Sequence, residues 1–254
     1  MLRTLLMRKL GVYTVIWPSL ALCACVHTRA TPGPIVTDRP DQTEGTDLVA
    51  PGWTQLEAGM TAYVPRRGAR TRSLGEGLLR YRVLPRLEAR VDIPSIVMTT
   101  GAKREFGDGG LGIKTPLLIP GEGASRAVPA LSFLASTSVS KNWSKGPAFG
   151  TPEVILASSW ELSDRVELAG NVVGRPFASQ SGDRWEGISV TAGFDLTDRL
   201  GSYAEVYNLG TPTVNGGLTY RITPDFQVDG RVGVSGYGDR DRITFVGVGF
   251  GTRW

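Results

Sequence analysis

The sequence predicts an all-β protein, a transmembrane antiparallel up-and-down β-barrel of about twelve strands. Three observations carry that prediction. From Trp53 to Trp254 the apolar residues recur with period 2 rather than 3.6. Across the same segments the charged residues fall on the opposite parity. Short turns and longer polar connections broadly alternate, as in a meander with one plain end and one elaborated end.

Taken in order, residues 1–30 read as a secretory signal peptide. Arg3, Arg8 and Lys9 make a positive start, and an apolar run from Gly11 to Val26 follows, broken by Thr14, Pro18 and Ser19. Two processing points fit the residues. Thr28-Arg29-Ala30 offers small side chains for cleavage near Ala30, whereas Leu22-Cys23-Ala24-Cys25 has the form of a lipobox that would leave a lipidated Cys25. Residues 31–52 form a polar leader. Its charged stretch, Thr37 to Glu44, is open to two readings: a small plug folded into the barrel, with Asp38, Arg39 and Asp41 meeting charges of the wall, or a free leader outside it.

The barrel is expected over 53–254. The first strand is carried by Leu56, Ala58, Met60, Ala62 and Val64, the second by Leu79, Tyr81 and Val83, the third by Leu87, Ala89, Val91 and Ile93. Leu111, Ile113 and Leu117 mark the fourth; Leu131, Phe133, Ala135 and Val139 the fifth; Val154, Leu156, Trp160 and Leu162 the sixth; Val166, Leu168 and Val172 the seventh. Ile188 to Leu196 give the eighth. The ninth, 201–207, has the weakest pattern, because Tyr203 and Tyr207 fall on its polar parity. Val214 to Ile222, Phe226 to Val234 and Val246 to Trp254 complete the set. Leu84-Pro85, Ser163-Asp164-Arg165, Thr197-Asp198-Arg199 and Thr223-Pro224-Asp225 are tight-turn sequences. Stretches 65–76, 94–109, 140–152, 174–186 and 236–242 read as the longer polar connections.

Period 2 alone does not say whether the apolar face meets a core or lipid. The apolar parity carries no charge across the spans, which suits both. The tie is broken by the last strand, which closes on Phe250 and Trp254, a terminal aromatic pattern that a soluble domain has no reason to carry. Lipid requires every backbone donor and acceptor to be paired, which a closed ring provides. Spans of about 9–11 tilted residues suffice to cross. Tyr63, Tyr81, Trp143, Trp160, Trp185, Tyr220 and Trp254 fall near segment ends, and some of them are candidates for interfacial girdles.

Composition narrows the chemistry. The chain has 254 residues, one histidine and two cysteines, and His27, Cys23 and Cys25 all lie in the leader peptide. With that peptide removed, histidine- or cysteine-based metal sites, cysteine nucleophiles and serine–histidine catalysis lack their parts. No cofactor is expected. Residues 1–30 also hold four of the 28 basic residues, so the remainder balances its 24 acids, and nothing suggests nucleic-acid binding. An enzyme built on two carboxylates is conceivable from the many acids, but no pair stands apart.

An ordered series of motifs runs through 35–254. It includes Thr37-Asp38-Arg39-Pro40-Asp41-Gln42-Thr43-Glu44, Gly52-Trp53-Thr54-Gln55-Leu56-Glu57, Leu79-Arg80-Tyr81-Arg82-Val83-Leu84-Pro85, Gly107-Asp108-Gly109-Gly110-Leu111-Gly112 and Leu196-Thr197-Asp198-Arg199-Leu200-Gly201. The series resembles the outer-membrane β-barrel family labelled "transporter" or "putative meta-pathway of phenol degradation". That resemblance implies a Gram-negative outer-membrane barrel that passes small molecules, with the name pointing to aromatic compounds. It also implies that Phe250 and Trp254 form the C-terminal signal read by the barrel-assembly machinery. Lipid bilayer, lipopolysaccharide and a small solute are the other expected partners.

On the polar parity, Glu57, Arg80, Arg82, Glu88, Arg90, Asp92, Lys114, Glu161, Glu205, Arg221, Asp229 and Arg231 are the candidate lumen-lining residues. Two roles are open to them. They line an aqueous path and select solutes, or they pair with one another and fill a narrow interior, since isolated buried charges are prohibitive. A secreted lipoprotein barrel holding a ligand among its apolar side chains is the alternative to a membrane barrel.

Overall fold

A computed structural model describes residues 32–121, 123–139, 148–178, 185–236 and 242–254. The signal-peptide reading of 1–30, with Cys25, lies outside the described residues, as does Trp143. Among the described residues fourteen strands follow one another: β1 (Thr54–Pro65), β2 (Thr71–Leu84), β3 (Leu87–Ile93), β4 (Ile96–Thr99), β5 (Glu105–Phe106), β6 (Gly109–Leu118) and β7 (Ala130–Val139), then β8 (Glu153–Ser163), β9 (Val166–Gly174), β10 (Trp185–Asp195), β11 (Leu200–Leu209), β12 (Pro212–Thr223), β13 (Phe226–Ser235) and β14 (Ile243–Arg253). All pair antiparallel in one sheet. β1 bonds to both β2 and β14, so twelve of them close a ring, and β4 and β5 are an extra hairpin on β2. The ring leaves no edge, which removes the unpaired backbone groups that lipid cannot tolerate.

Which side of the wall is apolar decides the solvent. Met60, Val91, Ile113, Leu156, Val190, Val206, Leu218, Val232 and Val248 are exposed, and all belong to the apolar parity. The buried set is instead dominated by Glu57, Arg80, Glu88, Lys114, Asn171, Glu205 and Asp229 on the other parity. A protein in water would have reversed this arrangement. The fold is therefore a transmembrane β-barrel with a lipid-facing outer surface and a polar interior. A water-soluble barrel with an oily centre is ruled out by the same inversion.

Three turns of the plain end share one device. In the turns after β8 and β12, the hydroxyls of Ser163 and Thr223 accept the N–H of the residue two positions on, at 3.2 Å in each case. After β10, Thr197 does the same and also accepts from Leu200 at 2.9 Å. Thr54 and Trp254 exchange backbone bonds of 3.0 Å at this end, so the wall begins and ends there.

Three expectations need correction. The 94–109 connection is not wholly polar loop: Pro94 interrupts the third strand, and the chain resumes as β4 and β5 with Ile96 opposite Phe106. The interruption faces Gly75 at φ +74°, where the β1–β2 register also shifts. β2 correspondingly starts at Thr71, inside the stretch read as a loop. Tyr63 is not a girdle residue. It shares the parity of Glu57 and Thr61 and sits 6.0 Å from the buried Phe245, because the odd positions of β1 face inward.

Candidate functional site

The interior is occupied by the chain's own leader. Residues 32–53 have no strand of their own, so their backbone groups need partners. The inward side chains supply them. Glu57 on β1 accepts the N–H groups of Asp38 and Arg39, both at 3.0 Å, and Gln55 donates to Val36 O at 2.8 Å. Glu88 on β3 accepts Val49 N–H at 2.7 Å. Ser132 on β7 donates to Thr46 O at 2.6 Å, and Asn171 on β9 both accepts from Glu44 N–H at 2.6 Å and donates to its carbonyl at 3.0 Å.

On the β1–β6 side the leader is held by charge. Arg80 reaches Asp38 at 3.0 Å, Glu57 at 3.0 Å and Glu88 at 2.9 Å. Arg90 binds Asp38 at 2.7 Å and grips both oxygens of Glu44 at 2.9 and 3.0 Å. The Lys114 ammonium lies 3.6 Å from Asp38. Three cations thus converge on one aspartate. Burial by itself would raise the Asp38 carboxyl, but Arg80, Lys114 and Arg90 outweigh it and hold the group well below the usual carboxylate range. Glu44 goes the other way: burial, with Asp38 beside it, pushes its carboxyl up to about 7.

Across the barrel the leader is held by a clamp of hydroxyls. Glu205 on β11 accepts Thr43 N–H at 2.7 Å and its hydroxyl at 2.6 Å. Thr191 on β10 donates to Thr43 at 2.8 Å, and Asn215 on β12 donates to Glu205 at 2.5 Å. Asp41 lies beside Glu205, and burial followed by that neighbouring charge raises its carboxyl well above the ordinary value.

Arg39 crosses the inner face of β1 and β14, between β2 and β13. Its guanidinium lies 3.6 Å from Asp229 and 3.5 Å from Glu76. It rests on bare backbone: a β-carbon at Gly59 or Gly249 would fall 2.2 or 2.6 Å from its nitrogens. These positions have to be glycine for the arginine to lie there. Arg231 donates to Pro40 O at 2.9 Å and to Thr61 at 3.0 Å. Arg253 donates to Gly33 O, and Gln227 to Thr37 at 2.8 Å.

The leader does not fill the interior evenly. A cavity of about 450 Å³ remains beside it towards the plain end, between Arg39, Asp41 and Asp47 of the leader and the inner surfaces of β8 to β13. Glu161, Glu167, Tyr203 and Arg221 are among its walls.

The structure brings Glu57, Arg80, Glu88, Arg90, Lys114, Glu205, Asp229 and Arg231 against the leader. It keeps Arg82, Asp92, Glu161 and Arg221 apart from that network. Arg82 bonds to Pro85 O in the β2–β3 turn, Asp92 is exposed near Gly110, and Glu161 and Arg221 line the cavity. Neutral partners escaped the sequence reading: Gln55, Asn171, Thr191, Asn215 and Gln227. Their parity matches that of the charged residues, so it was their signal, but uncharged side chains on a polar face do not stand out. The tyrosines that weakened the ninth segment belong here too; Tyr203 lies on the inner face, its ring against Gly217.

Residues 37–254 match the model of the family described as "Putative MetA-pathway of phenol degradation". No curated protein matches the chain. Among solved structures, an outer-membrane channel from Pseudomonas putida F1 is 12% identical, with 82% of this chain and 98% of that one covered and a TM-score of 0.49. The KdgM porin is 10% identical over 77% and 98% of the two chains, TM-score 0.47. Outer membrane phospholipase A from Escherichia coli is 13% identical over 78% and 92%, TM-score 0.45.

Proposed function

The chain belongs to the family described as "Putative MetA-pathway of phenol degradation", and from that premise we propose that it is a passive channel for small solutes in the bacterial outer membrane, with residues 31–52 as a partial plug. The observation that carries the reading is the inverted polarity of a closed ring. Apolar side chains meet lipid, and charged and hydroxylated ones surround an interior that retains a cavity of about 450 Å³. Such a volume suits a small molecule rather than a polymer. The family description favours aromatic compounds as the solute class. The role is transport and not catalysis.

The wall residues Glu57, Arg80, Glu88, Arg90, Lys114, Glu205, Asp229 and Arg231 hold the plug, and Glu161 and Arg221 face the part of the interior it leaves. Phe250 and Trp254 serve as the signal for the barrel-assembly machinery, and lipopolysaccharide borders the elaborated end. The test is conductance in planar bilayers together with solute flux into liposomes. The purified, folded barrel gives discrete channels. A folded barrel without channels or flux would leave the architecture and remove the transport role.

A second reading, a closed structural barrel, draws on the ion pairs of Arg80 and Arg90, which are made entirely within the protein. The same conductance measurement separates the two.

A further inference from the structure

The leader is held by ion pairs on one side of the barrel, and on the other by the Glu205 clamp with a cavity beside it. On the β1–β6 side its carboxylates are saturated by Arg80, Arg90 and Lys114. The β10–β13 side differs in three respects. The cavity opens along it and reaches Arg39, Asp41 and Tyr203. Tyr203 Oη, Asn215 Oδ1, both Asp229 carboxylate oxygens and Arg231 Nε are buried there without a hydrogen bond to the protein; Nε and Nη2 of Arg39, between Gly59 of β1 and Gly249 of β14, and Lys114 Nζ of β6 are in the same condition elsewhere. The Asp229 side chain is only 1% exposed, so its nearest cation, Arg39 at 3.6 Å, does not by itself satisfy it. Buried polar groups are almost always satisfied, by protein, water or ligand. Finally, the wall is thin in side chains: a β-carbon at Gly193 would meet only Glu167 Cβ, at 4.0 Å.

We propose that solutes and water cross along a polar seam between leader residues Arg39–Asp41 and strands β10–β13, and not along the β1–β6 side. This rests on the channel reading above. The seam continues the cavity past the clamp at Glu205, and its unmatched donors and acceptors hydrogen-bond water or the polar groups of a small solute in transit. Tyr203, lying flat against Gly217, narrows it.

Single-cysteine variants of the full chain test this in planar bilayers, using a charged methanethiosulfonate reagent and the wild-type protein as the reagent control. With Gly193→Cys and Tyr203→Cys, modification lowers single-channel conductance by about twofold or more, as a bulky charge in a narrow path should. Tyr203→Cys before modification conducts more than wild type. With Ser132→Cys, on β7 next to the sealed side and fully buried against Thr46 of the leader, the reagent changes nothing. Conductance in which neither Gly193→Cys nor Tyr203→Cys responds, or in which Ser132→Cys is blocked, overturns the seam while leaving the channel. No conductance from the wild type overturns the channel reading and the seam with it.

Discussion

Arg80 is 1% exposed and sits between three carboxylates, two from the wall and one from the leader. Its nitrogens also reach Asp47 O at 3.0 Å. Removing such a cation leaves buried acids without a counter-charge, which typically costs about 3–5 kcal/mol. Arg80→Met is therefore expected to lower barrel stability by roughly that amount, read from urea titration in vesicles. A shift within about 0.5 kcal/mol, the range of ordinary surface substitutions, would mean that the three acids find other partners. Glycine plays the complementary part. Gly249→Val would drive a side chain into Arg39, whose nitrogens already lie 2.6 Å from the β-carbon position, and into Ala58 O at 2.8 Å. Overpacking of this kind costs about 1–3 kcal/mol. The variant is expected to expel Arg39 and raise conductance; unchanged conductance and stability would show that the arginine lies elsewhere.

At the scale of elements, the leader is the part whose docking responds to pH. Glu44, facing Asp38, Arg90 and Lys114, has its carboxyl raised from 4.5 to about 7, and Asp41 is raised in the same direction. A carboxyl raised on folding favours the docked state while protonated, so its contribution is complete below about 4.5 and lost as pH climbs through about 7. Asp38 works oppositely: its contribution is present above the ordinary carboxylate pKa and lost only as pH falls well below it. Between pH 5 and 8 the first effect governs, and conductance should be higher at pH 8 because the plug is held less firmly. Glu44→Gln is expected to flatten that profile. A profile that survives the substitution would assign the effect to another group. The turns after β8, β10 and β12, by contrast, rely on Ser and Thr hydroxyls and are expected to be indifferent to pH over this range.

For the whole molecule, the outer surface and the plug make separate predictions. Val248 is 49% exposed in the middle of β14, opposite Met60 and Gly230. Val248→Arg places a charge against hydrocarbon and is expected to cost about 2–4 kcal/mol in lipid vesicles, as at other midplane positions. Indifference to that charge would contradict a lipid-facing wall. Deleting residues 32–52 empties the interior and is expected to raise conductance severalfold, though removal of the leader also exposes Arg80, Arg90 and Lys114 to one another's repulsion. Deletion without effect on conductance would show that the leader does not obstruct the path.

The wall was legible in the residues because a strand's side chains alternate whatever the strand pairs with. Parity alone separated Val248 and Met60 from Glu57 and Arg80, and the absence of charge on one face told which solvent that face could meet. Turn chemistry such as Thr197-Asp198-Arg199 was equally local. What only the tertiary structure decided is where the leader goes and which side it seals. Thr43 meets Glu205, and Glu44 meets Asn171, across separations of 162 and 127 residues. No periodicity encodes such meetings. They depend on closing the ring, which brings inward groups from distant strands around one short segment whose unpaired backbone must be satisfied.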